Sequence, residues 1–416
     1  ADIVVAMALP ALRNIDAFSV EHEGETMILV RDPESFVEDQ LLLGPVPFFV
    51  ASQLDGLNDI TDIQYLLFQQ TGGRLLSEDQ IREVVDYLDA HGFLASPRFE
   101  SLYREALDAF RARSSRPAFL AGKSYPDDPG ELREFIDALY AGNGGPGPVR
   151  PNDTAIGKGV RCLIVPHIDF PRGGVAYAHG YARLASGPKP KTVMIFGVSH
   201  AAAPVPFILT RKGYETPFGT LHVDTEAVEA LAAACTWDPF EHEIAHRSEH
   251  SIEFQAVMLA HLYGTGVTIV PILCGSFSDG PEPDTSAFAD VNAFLKACQQ
   301  VMRASDGGMC VVAGVDLAHV GRRFGDAFEI DDEIVHAVKA RDDEDLACAL
   351  NLDADGWYAS VMKDGNQRRV CGLNAIYASL KTLDGAAGRG ELLTYMYAHD
   401  PAGGIVSFAG IAFQEE

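Results

Sequence analysis

Three stretches of the chain are apolar almost without interruption: Cys162-Leu-Ile-Val-Pro-His167, Thr192-Val-Met-Ile-Phe-Gly-Val-Ser-His200 and Met309-Cys-Val-Val-Ala-Gly-Val-Asp-Leu-Ala-His319. Strands covered on both faces of a parallel sheet read this way, whereas half-exposed strands alternate. The run Val267–Cys274 has the same character. Between these strands the apolar spacing turns helical, around 225–234, 251–263, 287–302, 331–339 and 371–380. Two further strands, 392–397 and 405–413, follow as an antiparallel pair. Alternating strands and helices predict an α/β unit with a mostly parallel central sheet and helices on both faces. Ligands of such sheets bind beyond the carboxyl ends of the strands. Two of the three runs end there on a histidine, and the third on an aspartate three residues before one.

Residues 1–112 are patterned differently. Phe18–Arg31 alternates about Glu23-Gly24-Glu25 and predicts a hairpin. Helices are expected over 46–54, over 60–70 behind a cap at Asn58 or Asp59, and from Ser77, where Gln80 completes a capping box. Ile81, Val84, Val85 and Leu88 recur at helical spacing before the stop at Gly92. The expectation is a small α+β, winged-helix-like or PqqD-like docking module, joined by a helix over 97–112 to the α/β unit 113–416. A helix over 129–141 and a Gly/Pro-rich loop over 142–151 precede the first buried strand.

Charge narrows the partners. The chain carries 59 acidic and 32 basic side chains, a net −27. Its first 112 residues hold twenty acids, seven arginines and no lysine. A recognition helix needs a basic face, so nucleic acid is excluded as a partner, and anionic lipid with it. The apolar stretch Ile3–Leu12 is too short to span a bilayer and lacks a basic flank, so neither a membrane span nor a signal peptide is expected. Seven cysteines without CxxC spacing suit reduced thiols in the cytoplasm.

The chemistry gathers at the strand ends. His167 and His200 each open a loop of small residues, which leaves room for a ligand. His246, Glu249, His250 and Glu253 lead into a helix; histidines at i,i+4 could chelate a metal, though an acidic, capped helix start explains the same residues. Asp316 and His319 suit metal ligation or acid–base work. Two histidines with a carboxylate leave coordination positions open, as in non-haem iron sites. No GxSxG, P-loop or GxGxxG motif accompanies any of these elements. Arg172, Arg322 and Arg368-Arg369 could orient an anionic substrate or lie solvated at the surface. The histidines at 22, 91, 179, 261, 336 and 399 carry no such context.

From about residue 115 onward the chain resembles the Memo family, also called AmmeMemoRadiSam system protein B. The resemblance rests on Ala121-Gly-Lys-Ser-Tyr-Pro, Pro166-His167, Gly197-Val-Ser-His200, Glu249-His250-Ser-Ile-Glu253, Asp316-Leu-Ala-His319, Cys371-Gly372 and Val406-Ser-Phe-Ala-Gly-Ile-Ala-Phe413. It implies a fold similar to the class III, LigB-type extradiol dioxygenases. By that similarity His167 and His200 fall on metal-ligand positions and His250 on the acid/base histidine. The third ligand, a cysteine in eukaryotic members, falls on Ala318, leaving Asp316 or His319 to supply it. Asp169, where many members have Pro-His-Ala-Gly-Tyr, becomes a candidate ligand or partner of one. The expected catalytic set is therefore His250, Asp316 and Glu253, and the metal set His167, His200, His319 and Asp169. Iron is the favoured divalent metal, with copper and zinc as alternatives, and the substrate a small polar or aromatic molecule. The family name implies a radical SAM or AMMECR1-type protein as partner. Two other readings stay open: a non-catalytic scaffold whose pocket holds a peptide or phosphorylated ligand, and a hydrolase using metal-bound water.

Overall fold

A computed structural model describes residues 8–149, 159–201, 203–277, 288–383, 385 and 387–415. The start of the Ile3–Leu12 stretch, the end of the loop over 142–151, Ala202 and Ala287 lie outside the described residues. The chain divides into two compact units, Ala1–Ala112 and Arg113–Glu416.

In the first unit, β1 (Asp16–His22), β2 (Glu25–Arg31) and β3 (Gln40–Leu43) form an antiparallel sheet in that order. Four helices follow: α1 (Pro45–Ser52), α2 (Ile60–Thr71), α3 (Glu78–Ala90) and α4 (Pro97–Ala112). Asp59 and Asp62 close a capping box on α2, and Ser77 and Gln80 close one on α3. Such reciprocal caps satisfy two of the helix's orphan amides. Ile81, Val85 and Leu88 turn inward to pack with Val30, Leu43 and Phe93.

The second unit opens with β4 (Ser115–Arg116) and α5 (Pro129–Ala141), then runs β5 (Val160–Val165), α6 (Phe170–Ala185) and β6 (Thr192–Val198). The short strands β7 (Phe207–Leu209), β8 (Gly213–Thr216) and β9 (Gly219–Leu221) precede α7 (Thr225–Ala232) and α8 (His250–Tyr263). Next come β10 (Thr268–Cys274), α9 (Ala289–Ala304), β11 (Met309–Gly314) and β12 (His319–Gly321). Three helices, α10 (Asp332–Leu350), α11 (Ala354–Met362) and α12 (Leu373–Leu383), lead to β13 (Glu391–Asp400) and β14 (Gly404–Gln414).

The main sheet has the order β12-β14-β5-β11-β6-β10-β7, with β13 paired to β14. Its centre, β5-β11-β6-β10, is parallel; β14 joins β5 antiparallel, and so does β13 to β14. Residues along the central strands face alternate sides, as the pleat requires. Cys162, Ile164, Met194, Phe196, Val311 and Ala313 pack with α9, α11 and α12. Leu163, Val165, Val193, Ile195, Cys310 and Val312 pack with α5, α6 and α8. Both faces are dry, which explains the unbroken apolar runs. β4, β8 and β9 form a separate small sheet. Among the described residues no helix is long and apolar enough to cross a membrane.

Candidate metal centre

β5, β11 and β6 are parallel neighbours, so their carboxyl ends deliver three side chains to one edge: His167 after β5, Asp316 after β11 and His200 after β6. The amino end of α8 meets them with Glu249 at its cap and His250 as its first residue. That close approach depends on Gly314. A Cβ there would stand 2.3 Å from the carbonyl oxygen of Ser251, inside α8. Ser251 Oγ in turn accepts from the backbone N–H of Val198 at 3.0 Å, pinning the helix to β6.

The three imidazoles of His167, His200 and His250 converge, with one ligand atom from each lying within 4.8 Å of the others. Ring centroids are 5.1, 4.9 and 4.7 Å apart, and His200 stacks on His250. Two donors at about 2.1 Å from one ion can be at most about 4.2 Å apart. Rotations of a few tenths of an ångström therefore close the set. His167 is buried, His250 half-buried and His200 exposed, so the cluster runs from a dry floor to an open rim.

Hydrogen bonds fix which nitrogen faces the centre. His167 Nδ1 donates to the carbonyl of Gly314 at 3.1 Å, leaving the Nε2 lone pair available. His200 Nδ1 lies 3.0 Å from the Glu249 carboxylate, which also accepts from the backbone N–H groups of His200 (3.1 Å) and Ser251 (2.9 Å). His250 Nδ1 is 3.3 Å from the same carboxylate. A carboxylate behind an imidazole sets the tautomer and raises the ring's basicity toward a metal. Burial by itself would raise the Glu249 carboxyl, but the His200 and His250 rings beside it hold it well below the usual range. Burial pushes His167 well below its ordinary value, and His250 down to about 4. Metal ligation requires neutral imidazole, and these rings are neutral at pH 7.

Asp316 accepts from the backbone N–H groups of His167 (3.0 Å) and Ile168 (3.2 Å), and its other oxygen is 3.5 Å from His167 Nε2. Burial outweighs those bonds and pushes its carboxyl up to about 7. Cys371 arrives from just before α12. Its sulfur lies 3.3 Å from His167 Nε2 and 3.4 Å from the carbonyl of Asp316, and burial pushes the thiol well above its ordinary value. Ala318 is buried and offers no donor, but a thiol borders the cluster all the same. Only the Cys371-Gly372 likeness pointed there, and nothing in the spacing joins Cys371 to His167.

The other expected residues sit around this cluster. His319 Nδ1 is 3.1 Å from the carbonyls of Leu317 and Arg369, and burial lowers its pKa to about 4; it is not one of the three converging rings. Asp169 caps α6, accepting from the Arg172 backbone and pairing with the Arg172 guanidinium at 2.6 Å. Glu253 is fully buried on the far side of α8, ion-paired with Arg116 and accepting from the Tyr125 hydroxyl and from the Leu120 amide at 2.8 Å. Arg116 also donates to the carbonyls of His246 and Glu249, both at 2.9 Å, and so anchors the segment that carries His250. His246 is likewise buried, between Tyr214 Oη at 2.8 Å and the Ile208 carbonyl at 3.1 Å. Of the arginines, Arg322 pairs with Glu329, Arg368 with Asp342 and Asp345, and Arg369 with Asp326.

A mixed α/β unit with histidines over the carboxyl edge of its parallel strands defines the class. Residues 116–412 match the family described as Memo-like protein, and the chain belongs to the Memo family. A MEMO1 family protein of Aquifex aeolicus is 27% identical over 400 residues, 95% of this chain and 98% of its own length. That likeness therefore runs into the first unit. A MEMO1 family protein of Desulfurococcus amylolyticus is 29% identical over 303 residues, 72% of this chain and 98% of its own. One of Methanobrevibacter smithii is 28% identical over 302 residues, covering 71% of this chain and 97% of its own.

Proposed function

We propose that this protein binds a divalent metal at the histidine cluster and uses it on a small polar or aromatic substrate, in the manner of the LigB-type extradiol dioxygenases. The observation that carries this reading is the convergence of three imidazoles, backed by a carboxylate, at the open edge of a parallel sheet. The donor set fits the group: imidazole nitrogens with coordination positions left open suit iron, with copper or zinc as alternatives. Bound there, such a metal would supply open coordination positions for substrate and dioxygen.

The chain's own residues do the rest. His167 and His200 are the ligands, fixed by the Gly314 carbonyl and by Glu249. His250 enters the reaction neutral and accepts a proton at its ring, because burial holds its pKa near 4. Asp316 ties the loop after β5 to that after β11, which keeps His167 over the cluster. The exposed side of His200 is the route by which a substrate reaches the dry floor.

The seven cysteines are all free, which suits a reducing cytoplasm. A radical SAM or AMMECR1-type protein is the proposed partner, to be sought by co-purification with the tagged full chain. Metal analysis of purified wild type beside H167A/H200A decides the main reading. Wild type should hold close to one ion per chain and the double variant almost none. Equal content in both would sink the proposal and leave the scaffold reading, in which the pocket holds a peptide or phosphorylated ligand without metal.

A further inference from the structure

The opposite end of the sheet holds a second group of side chains that the histidine cluster does not use. Arg161, the second residue of β5, is only 7% exposed. Its Nε is buried and without a hydrogen-bond partner, and among the described residues no carboxylate pairs with its guanidinium. It borders a cavity of about 90 Å³ that is also lined by Gly159, Lys189, Gly307, Met309 and Glu415. The Lys189 ammonium is seated against Gly266, where a Cβ would come within 2.5 Å of Nζ. The stem of Lys191 lies over Gly308, in the turn that leads into β11.

Covering an arginine this far, with its Nε sealed from water and no counter-charge beside it, carries a desolvation cost that a bound anion would offset. Here the chain has acids in large excess, yet Arg161 and the exposed Lys189 both line one cavity, and among the described residues the buried Arg161 has no carboxylate partner. Arginine presents five N–H donors in a planar fork that matches an oxyanion, and a lysine adds a point charge. The cavity has room for one compact anion. An extended polyanion is disfavoured by the net −27 and by Glu415 in the lining. Residues at opposite ends of β5 are separated by about 3.3 Å per residue, so this cavity lies roughly 20 Å from His167.

We propose that this cavity binds a small oxyanion of the phosphate class, held by Arg161 with Lys189. The same chemistry is offered by inorganic phosphate and by a phosphate monoester of a small metabolite. Calorimetric titration of the full chain with each probe, sodium phosphate and glycerol phosphate, at constant ionic strength, tests it. Wild type should bind one equivalent of at least one probe. R161M should weaken that binding tenfold or more, K189M by a smaller factor, and H167A/H200A not at all. At a probe concentration a hundredfold above Kd, the melting temperature of wild type should rise by about 4 °C. In phosphate-free buffer R161M should melt no lower than wild type, since it removes an unpaired buried charge. Binding of phosphate alone assigns the site to the free anion, and binding of the ester alone to a phosphorylated metabolite; either supports it. No saturable binding of either probe up to ~10 mM, far weaker than a specific site requires, would overturn it. So would equal affinity in wild type and R161M. Should R161M fail to fold, equal affinity in wild type and K189M would do the same.

Discussion

Replacing Arg116 by methionine tests how the cluster is held in place. The guanidinium is fully buried and satisfied by Glu253, by the carbonyls of Pro117, His246 and Glu249, and by the face of Tyr214. Methionine fills much of the volume but leaves the Glu253 carboxylate in a dry interior with only the Leu120 amide and the Tyr125 hydroxyl. Breaking a buried pair from one side costs about 3–5 kcal/mol, mostly because the remaining charge is uncompensated. A unit of roughly 300 residues loses about 0.6 kcal/mol of unfolding free energy per degree near its midpoint, so the melting temperature should fall by ~5–8 °C. In R116M/E253Q no charge is stranded, and more than half of that loss should return. The assay is thermal and urea unfolding of metal-free wild type, R116M, E253Q and the double variant. If R116M and R116M/E253Q are equally destabilised, Arg116 does not act by compensating Glu253, and the reasoning fails. E253Q should keep full metal content, since its carboxyl faces away from the histidines; loss of metal in E253Q would place Glu253 in the site instead.

Two further outcomes follow from the site. Glu249→Gln removes the carboxylate behind His200 and His250, and metal affinity should drop 10–100-fold with little change in fold, as for other outer partners of metal-bound histidines; competition against a chromophoric chelator measures it, and unchanged affinity would remove Glu249 from the site. The pH dependence of the metal-free protein has a definite sign. Burial lowers His246 to about 3 against an ordinary 6.5, so below pH 6.5 the unfolded chain takes up a proton that the folded chain refuses. Stability is complete above pH 6.5 and declines toward pH 3, by roughly 2–3 kcal/mol at pH 4.5 from this ring alone. NMR titration of the His246 ring should show no midpoint above pH 5, and one near 6.5 would contradict the burial argument.

The centre of the sheet was readable because burial on both faces removes the alternation that would otherwise disguise a strand. The same runs located His167, His200 and Asp316, since chemistry at the end of a parallel strand has only one edge to occupy. The Ser77–Gln80 cap was readable because its interactions are local. α6 escaped: Phe170-Pro-Arg-Gly-Gly reads as a loop, and its glycines give no helical signal. They are there for contact, since a Cβ at Gly180 would meet Val165 at 2.4 Å. β4, β8 and β9 are too short to show a pattern, and α10 runs on to Leu350 through a polar stretch with a weak apolar stripe. Cys371 beside His167, and Arg116 beneath Glu249, are meetings between distant segments. Such contacts follow from the assembled topology and leave no trace in local spacing.

The place of β14 in the sheet bears on how the molecule is made. Buried along nearly its whole length, it is wedged between β5 and β13. During synthesis β5 must therefore wait, with one edge unpaired, until the ribosome has passed residue 414. Pairings between remote segments form slowly, and open strand edges invite aggregation in the interval. Until β14 is made, the β5 edge it covers stays open, although helices α5, α6 and α8 already cover one face of the strand.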